Sequence, residues 1–231
     1  MIHKFIFVHA KPGMSEQEFF RYWKEVHAVK YGAKIRQVKG YLICARVPFG
    51  SGPEDPLVHG VAEVWIENEA DELAFARSTE YIEGSRLDEP NFLAFWRMFA
   101  LDTTDHVIKN GPQPTDWTGV KLFVLAKRKP GMSREDFRRH SLQVHAPRVT
   151  GLPGLGRYVQ CHVNEAHYAI GESLLDSVSL LWFDSTDAVT RAAESAVYRE
   201  RVHPDFDSFA DPKYLRTLVT DEYWVIRPRS G

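Results

Sequence analysis

Two histidines in this chain stand at the same place in two copies of one pattern, and histidine is the side chain best suited to move protons near neutral pH. Residues 11–28 read KPGMSEQEFFRYWKEVHA, and residues 129–146 read KPGMSREDFRRHSLQVHA. Ten of these eighteen positions are identical at a constant offset of 118. The histidines, His27 and His145, are therefore the first candidates for general acid-base catalysis.

A helix must position each histidine. Ser15 with Glu18 three residues later is a capping-box pattern, and Phe19 and Trp23 follow at helical spacing. On a regular helix, the eight residues from Phe19 to His27 turn the imidazole about 80° away from this apolar stripe, to the edge of a pocket between helix and sheet. A structural role is the alternative, because a histidine near a helix C-terminus interacts favourably with the helix dipole.

The rest of each copy supplies a sheet. Alternating apolar residues with turn residues between them predict strands over residues 4–10, 41–47 and 58–66 of the first copy. Helices are predicted over residues 69–77 and 90–99, before a last strand. This order, βαββαβ, is that of the ferredoxin-like unit, here given twice. We therefore expect an α+β fold in which two such units pack sheet to sheet as a barrel within one chain.

The duplication also predicts the domain boundaries. We expect a first unit over residues 1–108, a linker over 109–118 and a second unit over 119–231, because the linker is rich in proline, glycine and polar residues. The only two cysteines, Cys44 and Cys161, occupy equivalent positions of the two copies on a predicted strand. We expect both to be reduced thiols in the core.

Charge limits the partners. Lysine and arginine number 29 against 31 aspartate and glutamate, which gives a net charge of −2 without blocks of like charge. This balance argues against a binder of nucleic acid or of a membrane surface, and no apolar stretch has the length of a membrane span. The apolar run at the N-terminus is too short for a signal peptide. We therefore expect a cytoplasmic protein that acts on a small molecule.

Motifs for metals and nucleotides do not occur in the sequence. The chain has no H-E-x-x-H, C-x-x-C, P-loop or G-x-S-x-G pattern, and the glycine-rich segment 151–156 follows a predicted helix rather than a strand. His140 and His145 are five residues apart, a spacing that does not place two ligands on one face of a helix. We predict neither a metal site nor a cofactor, which leaves proton transfer as the candidate chemistry.

The repeated pattern resembles a known family. A strand, then K-P-G-M-S, then a helix with F-x-R and a terminal H-A, then a strand that begins at Tyr41 or Tyr158, is similar to the EthD-like family of the dimeric α/β-barrel superfamily. The resemblance covers most of the chain. Members usually build the barrel from two chains, so the resemblance implies a fused dimer. The wider superfamily includes isomerases, cyclases, cofactor-free monooxygenases and haem enzymes, so the fold alone does not identify the reaction.

The resemblance also implies roles for individual residues. Similarity to the isomerase-type members implies a pocket tyrosine at Tyr41 and Tyr158 that donates a hydrogen bond to a carbonyl oxygen, with a core aromatic as the alternative. A second histidine lies in the region of His59 in such members, and an exposed position is the alternative there. Four aromatic residues would form the apolar walls of the pocket unless they are plain core: Trp23, Phe19, Trp65 and Trp96.

Three functions fit this resemblance. The first is a cofactor-independent lyase, isomerase or cyclase that acts by proton transfer on an aromatic or lactone-like small molecule in catabolism or secondary metabolism. The second is a haem-dependent oxidoreductase, with a histidine as the axial ligand. The third is an accessory protein that binds a small molecule without turning it over. The sequence leaves open whether the fused unit also forms a homodimer.

The two copies differ where the pocket is expected. Trp23 is replaced by Ser141, and His59 is replaced by Asp176. A carboxylate beside His145 would hold that histidine charged and prevent it from acting as a base. This difference favours the first copy as the active one, although the second copy keeps the fuller family motif.

Overall fold

The computed structural model describes residues 1–49 and 56–228. The turn predicted at residues 50–53 lies outside this part of the chain. The described strands are β1 (Ile2–Val8), β2 (Val38–Arg46), β3 (Gly60–Ile66), β4 (Phe99–Lys109), β5 (Val120–Ala126), β6 (Leu155–Val163), β7 (Ser177–Phe183) and β8 (Arg216–Ile226). The predicted strands therefore form, with their ends shifted by about two or three residues.

Helices connect the strands in the order that the sequence predicts. The α-helices of the described residues are α1 (Glu16–Tyr22), α2 (Ala28–Lys30), α3 (Glu69–Arg77), α4 (Arg86–Asp88), α5 (Arg134–His140), α6 (Ala146–Val149), α7 (Thr186–Glu194) and α8 (Phe206–Phe209). Short 3-10 helices span Gly32–Lys34, Glu89–Asn91, Phe95–Arg97, Pro114–Asp116 and Glu165–Ile170. Each half thus has the order βαββαβ.

The capping box that the sequence predicts begins α1. Ser15 has extended backbone, its hydroxyl accepts the backbone N–H of Glu18 at 3.3 Å, and the Glu18 carboxylate accepts the backbone N–H of Ser15 at 3.1 Å. Ser133 caps α5 in the same way through the backbone N–H of Asp136, at 3.0 Å. Local sequence signals therefore set the start of both histidine-bearing helices.

Four of the described helical segments widen into π-helical turns, in which a backbone N–H bonds five residues back. They span Trp23–His27, Glu80–Ser85, Ser141–His145 and Tyr198–Val202. In the first, the N–H of Ala28 donates to the carbonyl of Trp23, and α1 continues without a break into α2. Such turns account for well under 1% of residues in ordinary proteins, and here they recur at equivalent places of both copies.

One helix prediction is wrong. Residues 90–99 were expected to form a helix, but α4 and the adjoining π-helical and 3-10 turns place the helical segment at residues 80–91. Only the short turn Phe95–Arg97 follows, and Phe99 already begins β4. Gly84 near the middle of the true segment weakens its intrinsic helix propensity, so packing rather than local preference forms this helix.

The strand registers of the two halves agree residue by residue. Tyr41 on β2 pairs with Val64 on β3, and Tyr158 on β6 pairs with Leu181 on β7 at the equivalent position. The strands are hydrogen-bonded in the order β1-β3-β2-β8-β5-β7-β6-β4, and the sheet closes into a barrel. This is the α+β fold that the sequence predicts, a dimeric α/β barrel made by a single chain.

The compact units do not follow the repeat boundaries. One comprises residues 1–102 with the described chain from Glu222 onward, and the other comprises residues 103–221. Both boundaries fall inside long strands, β4 and β8. The predicted limits, 1–108, 109–118 and 119–231, are those of the sequence repeats and stay a prediction for the domains.

Aromatic residues form a buried cluster in the first unit. In the first unit, Phe19, Trp23, Tyr41 and Phe92 belong to one buried cluster between the helices and one face of the sheet. Cys44 and Cys161 are both buried thiols, in the core as expected. Among the described residues, no helix combines the length and apolar character needed to span a bilayer.

Candidate active site

A cavity of about 170 Å³ lies in the first unit, between its helices and the sheet. Its lining includes Trp23, His27, Tyr41, Ser85 and Phe92. An apolar cavity of roughly 150 Å³ in another protein holds benzene, so this space accepts about one six-membered ring. Aromatic walls with a few polar groups are typical of a small-molecule site.

The π-helical turn decides where His27 lies. The expected 80° offset from Phe19 assumed a regular helix and is wrong, because the turn absorbs one of the eight residues between them. The remaining seven advance about 700°, roughly 20° short of two full turns. His27 and Phe19 therefore share one face, and the ring of Phe92 contacts both, at centroid distances of 4.7 Å and 5.7 Å.

Asp88 is the partner of His27. Its Oδ2 lies 2.9 Å from His27 Nδ1, and its Oδ1 accepts hydrogen bonds from Tyr22 Oη at 2.8 Å and from Asn91 Nδ2 at 3.0 Å. Burial acts to raise the pKa of Asp88, but the hydrogen bonds from Asn91, His27 and Tyr22 outweigh it and hold the pKa below its ordinary value. Asp88 is therefore an ionised carboxylate that only accepts hydrogen bonds.

This carboxylate fixes the protonation of His27. Because Asp88 cannot donate, Nδ1 of His27 carries the proton and Nε2 keeps its lone pair. Burial lowers the pKa of His27 below 6.5, and the attraction of Asp88 opposes that shift without cancelling it. At neutral pH the ring is therefore uncharged. Nε2 lies 3.2 Å from Ser85 Oγ beside the cavity and is able to accept a proton.

Tyr41 supplies a hydrogen-bond donor to the same cavity. The indole Nε1 of Trp23 donates to the phenol oxygen of Tyr41 at 2.7 Å. Burial raises the pKa of Tyr41, so the phenol stays protonated at neutral pH. Because its oxygen already accepts from Trp23, the phenol proton is directed to another acceptor, such as a carbonyl oxygen of a ligand.

The other predicted site residues lie elsewhere. Phe19 packs against the ring of Phe92 and is not part of the cavity lining. Trp65 is on the opposite face of β3 from Val64, which does line the cavity, because side chains alternate along a strand. Trp96 is 63% exposed, on the short turn after the site. Of the four predicted walls, only Trp23 lines this cavity.

His59 is not brought together with His27. Its Nδ1 accepts the backbone N–H of Ala10 at 3.3 Å, and its Nε2 lies 3.7 Å from a carboxylate oxygen of Glu16. It is not part of the lining of the cavity that His27 and Tyr41 share. The set of His27, Tyr41 and His59 expected from the resemblance is therefore reduced to its first two members.

The second unit keeps the histidine pair but not the surroundings. Asp205 Oδ2 lies 2.9 Å from His145 Nδ1, and Asp205 Oδ1 binds both His140 at 3.0 Å and Arg148 at 2.5 Å. Burial again lowers the pKa of His145, and Asp205 opposes the shift. Val202 stands where the first unit has Ser85. The second histidine therefore has its orienting carboxylate but no hydroxyl at the equivalent place.

A polar network surrounds Tyr158 in place of the aromatic wall. Gln160, which is fully buried, donates to the phenol oxygen of Tyr158 at 2.5 Å and accepts from the Ser141 hydroxyl at 3.0 Å. Burial raises the pKa of Tyr158 to about 12, and the hydrogen bond from Gln160 opposes this. Ser141 and Gln160 take the places of Trp23 and Ile43. Buried amide and hydroxyl groups thus satisfy one another here.

The expectation that Asp176 lies beside His145 is wrong. Asp176 accepts the backbone N–H of Arg128 at 2.8 Å, forms an ion pair with the Arg128 guanidinium, and accepts the Tyr168 hydroxyl at 2.5 Å. Alignment of the repeats places Asp176 opposite His59 in sequence, and each of the two binds groups outside the histidine–aspartate pair of its own unit. The exchange of His59 for Asp176 therefore does not change the charge beside the histidine; the difference lies on the orienting carboxylate, which binds Arg148 in the second unit only.

Sequence reasoning missed Asp88, Asp205 and Ser85. A signal for the aspartates was present, because residues 81–92 and 198–209 share Tyr, Glu, Asp and Phe at a constant offset of 117. The pairing could not be found from local motifs, since His27 and Asp88 are 61 residues apart. Ser85 has no counterpart in the second copy and left no repeat signal.

One group of side chains in the first unit has the geometry to hold a metal ion. A ligand atom each of Cys44, Glu63 and Glu222 lies within 4.8 Å of the others, on strands β2, β3 and β8. The thiol of Cys44 donates to Glu63 at 2.8 Å, and His3 lies 3.1 Å from the same carboxylate. Three separate strands supply these residues, so the spacing rules behind the expectation of no metal site could not detect them.

Comparison with known proteins identifies the family. Residues 11–95 and 129–213 each match the EthD domain, and the two matches start 118 residues apart. The chain belongs to the EthD family. Its repeated motif is thus the family motif, present twice.

Relatives of this EthD protein are enzymes. It is 29% identical over 112 residues to a dehydratase, ustZ, of Ustilaginoidea virens, a match that covers 42% of this chain and 79% of that protein. It is 32% identical over 124 residues to a decarboxylase, AgnL1, of Paecilomyces divaricatus, covering 47% of this chain and 83% of that protein. Dehydratases and decarboxylases are both lyases. The EthD protein is an enzyme of this lyase type.

A solved structure has the same fold. An anthrone oxidase-like protein superposes with a TM-score of 0.63 over 100% of this chain and 95% of its own, at 10% sequence identity. At that identity the likeness concerns the fold alone. The curated relatives match less than half of this chain, whereas this structure matches all of it.

Proposed function

We propose that the EthD protein is a cofactor-independent lyase whose working site is the cavity of the first unit. The observation that carries this proposal is the His27–Asp88 pair, which presents an unprotonated Nε2 beside an aromatic cavity. The names of the relatives, dehydratase and decarboxylase, support the reaction class. The substrate is an aromatic or lactone-like small molecule with about one ring inside the cavity.

Elimination of water suits the site better than loss of carbon dioxide. An uncharged His27 is a base and has no proton on Nε2 to give to a carbanion. Glu89, a buried carboxyl group whose pKa burial raises, also lines the cavity and offers no attraction to a carboxylate. Lys4 lines the cavity too, but its ammonium group is paired with Glu72 and Asp102 at 2.7 Å and 2.5 Å. A neutral substrate is therefore favoured.

The reaction follows from these positions. His27 Nε2 removes a proton from the carbon next to a carbonyl group, and the electron pair of that C–H bond moves toward the carbonyl oxygen, which Tyr41 holds by a hydrogen bond. The pair then returns to form a carbon–carbon double bond as hydroxide leaves the neighbouring carbon. The proton on Nε2 passes to the leaving hydroxide and produces water. His27 ends in its starting state.

Haem does not fit this site. The space is about 170 Å³, below the range of roughly 300–1,000 Å³ of ordinary ligand sites, and a porphyrin is larger than one ring. The residues present therefore favour proton transfer over axial ligation of haem.

The test is a comparison of two histidine variants. Wild type, His27→Gln and His145→Gln are incubated with cyclic β-hydroxy ketones and with aromatic hydroxy acids in heavy water. Mass spectrometry follows loss of water, loss of carbon dioxide and uptake of deuterium. We expect dehydration and exchange in wild type and His145→Gln, and loss of both in His27→Gln by on the order of 10²-fold or more.

Other outcomes of this test are informative. Carbon dioxide release that depends on His27 would replace dehydration by decarboxylation, and exchange without elimination would indicate an isomerase. Tight binding without exchange or elimination would contradict the proposed enzymatic activity and would support an accessory protein that binds a small molecule. Equal losses in both variants, with both still folded, would indicate two working sites.

Two further properties stay predictions. A cytoplasmic location, expected from the sequence, is tested by fractionation of the producing cells. A homodimer of the whole chain is tested by light scattering of the purified protein, in which a mass near twice 26.5 kDa is the expected result.

A further inference from the structure

Ser85 completes a chain of hydrogen bonds that water elimination does not require. Its Oγ lies 3.2 Å from Nε2 of His27, and Nδ1 of the same ring lies 2.9 Å from Asp88. Ser85, His27 and Asp88 are 6%, 7% and 5% exposed, and the first two line the cavity. Because Asp88 keeps the ring proton on Nδ1, the hydroxyl of Ser85 is the donor and Nε2 is the acceptor.

A hydroxyl, an imidazole and a carboxylate in this order are the parts of an activated serine nucleophile, which is recognised by geometry and not by order in the sequence. We propose that Ser85 is a nucleophile activated by His27 and Asp88, and that the cavity cleaves small aromatic carboxylic esters through an acyl-Ser85 intermediate. This activity goes beyond the lyase reaction and gives a role to Ser85, which takes no part in the lyase reaction.

The steps balance with water as the second reactant. Ser85 Oγ attacks the ester carbonyl while its proton moves to His27 Nε2, and Tyr41 donates a hydrogen bond to the carbonyl oxygen. The tetrahedral adduct breaks its bond to the leaving alcohol, which takes the proton from Nε2. Water then attacks the acyl-Ser85 carbonyl, His27 takes the water proton and returns it to Ser85 Oγ, and the acid leaves.

The second unit shows that the hydroxyl is not needed to build the pair. His145 and Asp205 adopt the same 2.9 Å contact with Val202 in the place of Ser85. In the first unit the hydroxyl of Ser85 is therefore an addition to the pair, and it lies against the lone pair of His27. The second unit also provides a control, because Ser141 is buried but bonds to Gln160 instead of a histidine.

The cavity sets the class of ester. Trp23, Tyr41 and Phe92 form aromatic walls, and about 170 Å³ accommodates one ring. Phenylmethanesulfonyl fluoride and 4-nitrophenyl acetate each carry one ring and a reactive centre, and we choose them as probes. With the sulfonyl fluoride, Ser85 Oγ forms a bond to sulfur, the S–F bond breaks, and the serine proton leaves through His27.

The first experiment measures labelling of the full chain by the sulfonyl fluoride. Intact mass and peptide mapping should show one label per chain, on Ser85, in wild type and in Ser141→Ala. Ser85→Ala should lose the label, and His27→Gln should slow labelling on the order of 10³-fold. Circular dichroism and thermal melting of each variant separate loss of activity from loss of fold. The label requires no lyase substrate, so failure of the lyase proposal would leave this result intact.

The second experiment measures hydrolysis of 4-nitrophenyl acetate. A burst of nitrophenol equal to the enzyme concentration is expected in wild type, and Ser85→Ala should abolish the burst and lower the rate on the order of 10³-fold or more. Ser85→Cys should restore a burst, because a thiol is also a nucleophile. A wild type without label and without burst overturns the proposal, as does a folded Ser85→Ala that hydrolyses the ester at the wild-type rate.

Discussion

At the scale of single residues, the carboxylate of Asp88 decides which nitrogen of His27 accepts a proton. Asp88 receives three hydrogen bonds and is ionised, so it orients the ring and keeps the proton on Nδ1. Burial alone would also leave the ring uncharged, but it would not choose between the two nitrogens. The His27–Asp88 pair therefore presents a base to the cavity. Its two residues lie on different helical segments.

Asp88→Asn tests this control of the proton. An asparagine of the same shape is able to donate a hydrogen bond to Nδ1, which moves the ring proton to Nε2 and removes the base. We expect turnover of a dehydratable substrate to fall on the order of 10³- to 10⁴-fold, the scale of this change in serine proteases. Asp205→Asn is the matched control in the second unit and should retain turnover. Unchanged kinetics in Asp88→Asn would remove Asp88 from the mechanism.

The lowered pKa of buried His162 predicts that the stability of the protein depends on pH. Burial lowers the pKa of His162 to about 3, and electrostatic interactions with His106 and Arg138 add to the shift. The unfolded chain takes up this proton near pH 6.5 while the folded chain does not, so stability is complete above 6.5 and falls as pH falls toward 3, by about 1.4 kcal/mol per pH unit. His27 and His145 act in the same direction.

Urea unfolding on both sides of pH 6.5 measures this effect. His162→Ala, which restores the residue of the first copy, Ala45, should show a shallower fall in the free energy of unfolding than wild type. Parallel curves for the two proteins over the whole range would show that His162 takes up its proton equally in both states.

At the scale of elements, the sequence predicted regular pieces well and irregular pieces poorly. Helix α3 begins and ends at the predicted residues, because Asn68 caps it and Ser78 ends it locally. The π-helical turn at Trp23–His27 has no local signature, so the periodicity argument placed His27 about 100° from its true direction. The helical segment over residues 80–91 was missed because tertiary packing overrides the weak propensity around Gly84.

Gly32→Ala tests the close contact that holds Tyr41 in place. A Cβ at this position would lie 2.7 Å from Cε1 of Tyr41, so the ring must shift and strain its hydrogen bond with Trp23. We expect a loss of about 1–3 kcal/mol of stability and weaker binding of aromatic ligands. Gly151→Ala is the control, since its nearest neighbours are 3.4 Å away. Thermal melting of both variants measures the loss of stability, and titration with an aromatic ligand measures the loss of affinity.

At the scale of the whole molecule, duplication explains why part of the site was visible in the sequence. Features kept in both copies, such as the histidines, Tyr41 and Tyr158, stood out by repetition. Features present once, such as Ser85, did not. Pairings across 60 or so residues, such as His145 with Asp205, depend on how the helices pack, which no local pattern specifies. The second copy has meanwhile replaced its aromatic wall with buried amide and hydroxyl groups.

Gln160→Leu tests whether the second copy now serves stability. The change removes the partner of Ser141, Tyr158 and His162, and each unsatisfied buried group costs about 1–3 kcal/mol. Ile43→Leu, at the equivalent place of the first copy, should cost less than about 1.5 kcal/mol. We expect Gln160→Leu to lower the melting temperature while turnover per folded molecule stays at the wild-type level. Loss of turnover without loss of stability would give the second copy a catalytic role.

The π-helical turns also give the helices a tolerance to changes in chain length. Each turn already contains one residue more than a regular helix would, so removing the exposed Glu25 should let the segment relax to an α-helix with Phe19 and His27 still on one face. Removing the exposed Ala74 from α3, which has no such surplus, should rotate everything after it by about 100° and displace the buried Phe75. A one-residue deletion that disrupts a regular helix such as α3 should therefore be tolerated in the helix that carries His27.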